Sequence, residues 1–246
     1  MKRYAACLAA ALLVPMLAGC GSSDKTLKVF AAASLTEPFT TLAKQFESEH
    51  QGVKVELSFG ASSDLAAQIQ QGAPADVFAT ASTATMDQVS SEISDRADFA
   101  SNTMEIAIPA DNPGHITSLA DLTRKGVKLA VCQAEVPCGT VATKVFANAK
   151  MTVHPVTEEV DVKSVLTKVS LGEVDAGIVY VSDVKTAGPK VKGITIPDAV
   201  NAVTTYPIAM VDKTKQKSLS EEFIKLVEGD AGRKALDASG FAPPTP

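Results

Sequence analysis

Residues 28–46, KVFAAASLTEPFTTLAKQF, pass from one secondary structure to another within a single turn. Lys28 to Ala33 reads as a buried strand, and Leu35, Phe39, Leu42, Ala43 and Phe46 then recur at helical spacing. Downstream, Val53, Val55, Leu57 and Phe59 alternate with polar residues, as a half-buried strand does. Gly60 breaks that strand, Leu65, Ala66 and Ile69 begin a second helix, and Asp76–Ala79 is a further short strand. The β-α-β-α-β order predicts a mainly parallel sheet covered by helices.

The same rhythm restarts after residue 105. Strand-like segments recur at Val127–Val131, Thr152–Val156, Ala176–Val181 and Gly193–Ile196, with helices near Leu119–Arg124, Thr140–Ala149 and Asp161–Val169. Tyr206–Val211 is extended, and Leu219, Phe223, Leu226 and Val227 mark a C-terminal helix. Two α/β units fit the length. Periodicity leaves open whether the last helix belongs to the second unit or returns to the first.

Upstream of this region, Lys2 and Arg3 precede an apolar run from Ala5 to Ala18, the pattern of a signal peptide. The run is shorter than the roughly 20 residues of a membrane-spanning helix. Leu17-Ala18-Gly19-Cys20 resembles the bacterial lipobox, in which cleavage before the cysteine leaves it to carry lipid. An ordinary secretory signal with an incidental Cys20 is the alternative. Gly21 to Lys25 follows as a polar tether. Loss of residues 1–19 removes two cations, so the net charge of −5 becomes −7 in the mature chain. An acidic chain with no cluster of Lys and Arg is a poor partner for nucleic acid.

Cys7 leaves with the signal, so Cys132 and Cys138 remain as a pair in an oxidising compartment. A disulfide between them would constrain the unfolded chain by about 2 kcal/mol; two reduced thiols packed in a loop are the alternative. No histidine lies nearby to complete a zinc site. Enzyme signatures are missing: there is no G-x-S-x-G elbow, no phosphate loop and no H-E-x-x-H, and His50, His115 and His154 are scattered. The chain is therefore expected not to be an enzyme.

What does recur is a small hydroxyl residue where a strand turns into a helix. Ser34 ends Ala31-Ala32-Ala33, and Ser62 follows Gly60-Ala61. Helix N-termini present unpaired N–H groups and the positive end of the macrodipole, so they attract anions without a formal charge. Both serines also suit a capping role, since Ser34-Leu35-Thr36-Glu37 reads as a capping box with Pro38 in the first turn.

At these residues the chain resembles a known family. FAAASLTEPF (30–39), SFGASSDLAAQI (58–69) and GAPADVFA (72–79) are similar to the N-terminal lobe of the molybdate-binding proteins of bacterial ABC transporters. The likeness continues through VPCGTVATK (136–144), EVDVKSVL (159–166), AGIVYVSD (176–183) and YPIAMV (206–211). It covers essentially the whole mature chain.

The resemblance implies an α/β fold of two lobes, the type II periplasmic-binding-protein architecture, with an oxyanion held in the cleft between them. It implies residues 1–19 as signal peptide, 20–26 as lipidated tether, 27–104 as the first part of lobe 1, 105–205 as lobe 2 and 206–246 as the return to lobe 1. Crossovers would lie near Thr103–Ile106 and Thr204–Pro207. The ligand, molybdate or tungstate, would be met by the hydroxyls and N–H groups of Ser34 and Ser62, by the N–H groups of Cys138 and Val162, and by the phenol of Tyr180. Asp64 stands where many relatives are neutral, and is expected to point outward from its helix. The partners implied are a membrane permease and, through Cys20, the membrane itself. No cofactor or free metal cation is implied, and the chain is expected to act as a monomer. Another tetrahedral oxyanion, sulfate or phosphate, is the alternative ligand.

Overall fold

A computed structural model describes residues 25–245. The signal segment and Cys20 lie outside the described residues. The first strand, β1 (Lys25–Ala32), starts earlier than its apolar run, because Lys25 and Thr26 pair with Val53 and Lys54 and so join the ladder rather than the tether. It turns through a short 3-10 segment, Ala33–Leu35, into α1 (Thr36–Glu49). Then follow β2 (Val53–Gly60), α2 (Ser62–Gln70), β3 (Val77–Ala79) and α3 (Thr83–Asp87). β1 lies between β2 and β3 and is parallel to both.

The period-2 alternation of β1 sorts its side chains onto two faces. Leu27, Val29 and Ala31 meet Phe39, Leu42 and Phe46 of α1 on one face. Phe30 goes to the other, with Leu65, Ile69, Phe78 and Met86. Helices therefore cover both sides of this half of the sheet.

β4 (Ile93–Pro109) is 17 residues long and belongs to both halves of the sheet. Its first part pairs antiparallel with β9 (Val203–Val211). Its last part, from Met104, pairs antiparallel with β7 (Ala176–Tyr180) and β8 (Val191–Thr195). In the second half, β5 (Leu129–Cys132) is parallel to both β7 and β6 (Thr157–Glu159). The full order is β2-β1-β3-β9-β4-β7-β5-β6, with β8 on β4. Parallel pairs thus occur in each half, and the antiparallel ones come with the two crossing strands.

The helices of the second half are α4 (Pro137–Asn148), α5 (Val162–Ser170) and α6 (Val181–Thr186). α7 (Lys217–Glu228) and α8 (Asp230–Ala238) pack back on the first half, where Phe223, Val227 and Leu236 join the core under α1.

Several segments differ from the reading of periodicity. Thr152–Val156 is not a strand: Pro155 has no N–H to donate, and pairing with β5 starts only at Thr157. α4 begins at Pro137 rather than Thr140, because proline suits the first helical position. Leu119–Thr123 is a 3-10 turn, held by reciprocal bonds between Ser118 and Asp121. Among the described residues no helix is long and apolar enough to cross a membrane.

Candidate anion site

Ser34, Ser62, Cys138, Val162 and Tyr180 all line one cavity between the two halves of the sheet. It encloses about 230 Å³ of space free of protein atoms, part of it open to solvent. The volume open to a bound group is only about 20 Å³, little more than a small molecule such as water needs, which suits a compact ion rather than an organic molecule. Larger hollows lie elsewhere, among them one of about 370 Å³ beside Asp76 and Glu92, which none of the five residues borders.

Neither serine caps its helix. Ala32 and Ala61 occupy the N-cap positions, with no side-chain capping bond. The hydroxyls are engaged otherwise. Ser62 Oγ accepts the Ala81 N–H at 3.1 Å, and Ser34 Oγ lies 2.9 Å from the phenol oxygen of Tyr206. Since Ser62 accepts from a backbone donor, its own proton remains free to point at the cavity. The Thr204 hydroxyl donates to the Ala81 carbonyl and so holds that donor in place. Asp64 is exposed in the first turn of α2 and is not part of the cavity wall; there it complements the helix dipole.

On the facing wall the donors are backbone N–H groups. Cys138 and Val162 sit in the first turns of α4 and α5, where an N–H has no acceptor earlier in the helix. Cys132 and Cys138 are joined by a disulfide, with Cα atoms 5.8 Å apart, tying the start of α4 to the end of β5. Gly139 lets the two approach: a Cβ there would collide with the Gln133 carbonyl. Asp161, which also lines the cavity, caps α5, its Oδ1 accepting the Ser164 N–H at 2.8 Å.

Tyr180 is 1% exposed, and among the described residues its hydroxyl has no hydrogen-bond partner of good geometry. Burial first, and then the neighbouring Tyr206 and Asp183, push its ionisation well above the usual phenol range. It therefore keeps its proton and remains a donor. A buried polar group without a partner is costly, and it is the feature of this wall that asks for a ligand.

Among the described residues no Lys or Arg borders the cavity. The arrangement is a shell of hydroxyl and N–H donors, with dipoles but no cation in contact, that could satisfy a small multiply charged acceptor. Among the described residues no group of three or more His, Cys, Asp or Glu side chains could hold a metal cation. Sequence reasoning missed Tyr206 and Ala81 as the partners of the serines. Tyr206 lies 172 residues from Ser34, and nothing local to either marks the contact.

The chain is similar to known proteins over most of its length. The profile of bacterial extracellular solute-binding proteins matches residues 27–242. The molybdate-binding protein ModA of Mycobacterium tuberculosis (strain ATCC 25618 / H37Rv) is 42% identical, over 96% of this chain and 97% of its own. That of Escherichia coli (strain K12) is 32% identical, over 98% of each. The periplasmic molybdate-binding protein of Azotobacter vinelandii superposes with a TM-score of 0.79 at 22% identity, over 89% of this chain and all of its own, a likeness of fold.

Proposed function

Because the chain belongs to the bacterial extracellular solute-binding proteins, we propose that it captures molybdate outside the cytoplasm for an ABC importer, with tungstate as an equivalent ligand. The observation that carries this reading is the buried, unpartnered hydroxyl of Tyr180 in a cavity walled by donors. A tetrahedral dianion has only acceptor oxygens, and hydroxyls and N–H groups meet it without a proton left over. Hydrogen bonds to a charged partner contribute about 1.5–3 kcal/mol each. The protein's negative charge does not prevent capture, because diffuse charge is screened beyond about 8 Å while oriented dipoles act at contact.

Ser34, Ser62 and Tyr180 are the hydroxyl donors in this reading, and Cys138 and Val162 give backbone N–H groups. Residues 27–104 and 206–246 form one lobe and 105–205 the other, hinged where β4 and β9 pass between them. Contacts to the anion from both lobes favour the closed form, which the permease then recognises. Selectivity against sulfate follows from size, since a shell fitted to the larger ion leaves bonds to sulfate long. Hydrogen phosphate brings a proton that needs an acceptor, and the carboxylate on this wall, Asp161, is engaged in capping α5. A lipidated Cys20 keeps this monomeric trap at the membrane.

Parallel calorimetric titrations with molybdate, tungstate, sulfate and phosphate test the ligand. Tight binding of the first two and weak binding of the others is expected; preference for sulfate or phosphate would replace the reading. Mass spectrometry of the mature chain tests the anchor, which an unmodified Cys20 would refute.

A further inference from the structure

Three charged residues next to the cavity are not used by the anion shell. Glu37 follows Ser34 by three residues, Lys163 follows Val162 directly, and Asp183 follows Tyr180 by three. Their side chains meet. Lys163 Nζ donates to both carboxylate oxygens of Glu37 at 2.9 Å and lies 3.4 Å from Asp183 Oδ1. The Asp183 side chain is fully buried, and its other oxygen accepts the Tyr180 N–H at 3.1 Å.

The placement is unequal across the cleft. Lys163 and Asp183 belong to α5 and α6, both in the second half of the molecule, while Glu37 is in the first turn of α1. Every other ion pair among the described residues joins groups within one half. Asp183 therefore holds the ammonium on one wall, and Glu37 receives it from the other.

We propose that Lys163 is a positioning residue that couples anion capture to closure: its bond to Glu37 forms as the two walls meet and draws together the helix starts bearing Ser34 and Val162. The proposal rests on the binding reading above. Two carboxylates also keep the ammonium out of the cavity, so it reaches the anion only through the helices it joins. Burial raises the Asp183 carboxyl and Lys163 opposes that shift, as expected of a charge retained for its partner. An ordinary surface pair is the competing account, and it predicts no kinetic asymmetry.

The test uses the mature protein and molybdate itself, with association and dissociation rates measured separately. Glu37 is 40% exposed, so Glu37→Gln leaves the buried Asp183–Lys163 contact in place and the fold intact. It should speed dissociation about 2- to 5-fold with association unchanged, and the difference should shrink at high salt. Lys163→Met should do at least as much, and the double variant no more than Lys163→Met alone. Lys163→Arg should restore the parent rate. A Glu37→Gln variant that releases molybdate at the parent rate, or effects of Glu37→Gln and Lys163→Met that add in full, would overturn the coupling and leave the site standing. A parent protein that binds neither molybdate nor tungstate would overturn both readings.

Discussion

On the wall built from β1, β2 and the helices that follow them, the donors are serine hydroxyls, each held by a bond to a distant group. On the wall built from α4 and α5, the donors are backbone N–H groups, and the side chains at the same positions are a disulfide sulfur and a valine. Tyr180 adds one phenol to the second wall. The first wall depends on what its side chains are, the second on where its backbone runs. Substitutions should therefore act by different routes on the two sides.

The largest effect is expected on the backbone side. Gly139→Ala puts a Cβ into the Gln133 carbonyl, so α4 must move with its free N–H groups. A loss of stability of about 3 kcal/mol or more is expected, with loss of binding, read by thermal unfolding and titration. Next come the hydroxyls. Ser34→Ala, Ser62→Ala and Tyr180→Phe should each weaken molybdate binding about 10- to 100-fold. Val162→Ala, on the backbone side, should stay within about threefold. If Val162→Ala cost as much as Ser62→Ala, the contrast between the walls would collapse.

Opening the disulfide should lower stability by about 2 kcal/mol on the loop-entropy estimate for so short a ring. Denaturant unfolding of a Cys132→Ser/Cys138→Ser variant measures it, and its affinity should fall less than that of the serine variants.

A last effect concerns pH. Burial pushes Asp183 up to about 6 against an opposing pull from Lys163, from an ordinary value of 3.8. Its folded state holds a proton more readily than the unfolded chain, so its contribution to stability is full below the ordinary value. That contribution is lost as pH rises through about 6. Asp183→Asn should abolish this dependence. The difference in unfolding free energy between parent and variant should slope across that window, and a flat difference would place Asp183 in a more solvated setting.

Much of the architecture was legible along the chain. The passage from Ala33 to Leu35, the alternation in β2 and the helical spacing of α1 and α5 read as what they are, because one buried face imposes its period on the sequence. β4 was not legible as a strand at all. Asp95 has a positive φ of 52°, register shifts follow it, and polar residues through Asn102 interrupt the alternation. β8 and α8 were also missed or shortened, since partners far along the chain support them.

The site divided along the same line. Ser34 and Ser62 stood out as small hydroxyl residues at strand–helix junctions, where helix ends attract anions. Cys138 and Val162 carried no such mark, and only family resemblance pointed to them, because an N–H donor can sit beneath almost any side chain. Sequence by itself determined the alternation of strands and helices through most of the chain and the supply of donors without cations. The tertiary structure alone decided that the helix starts converge, that Tyr206 and Ala81 engage the serines, and that Lys163 reaches Glu37. These are contacts between residues far apart in the chain, and the periodicity that writes a local fold into sequence does not encode distance between its parts.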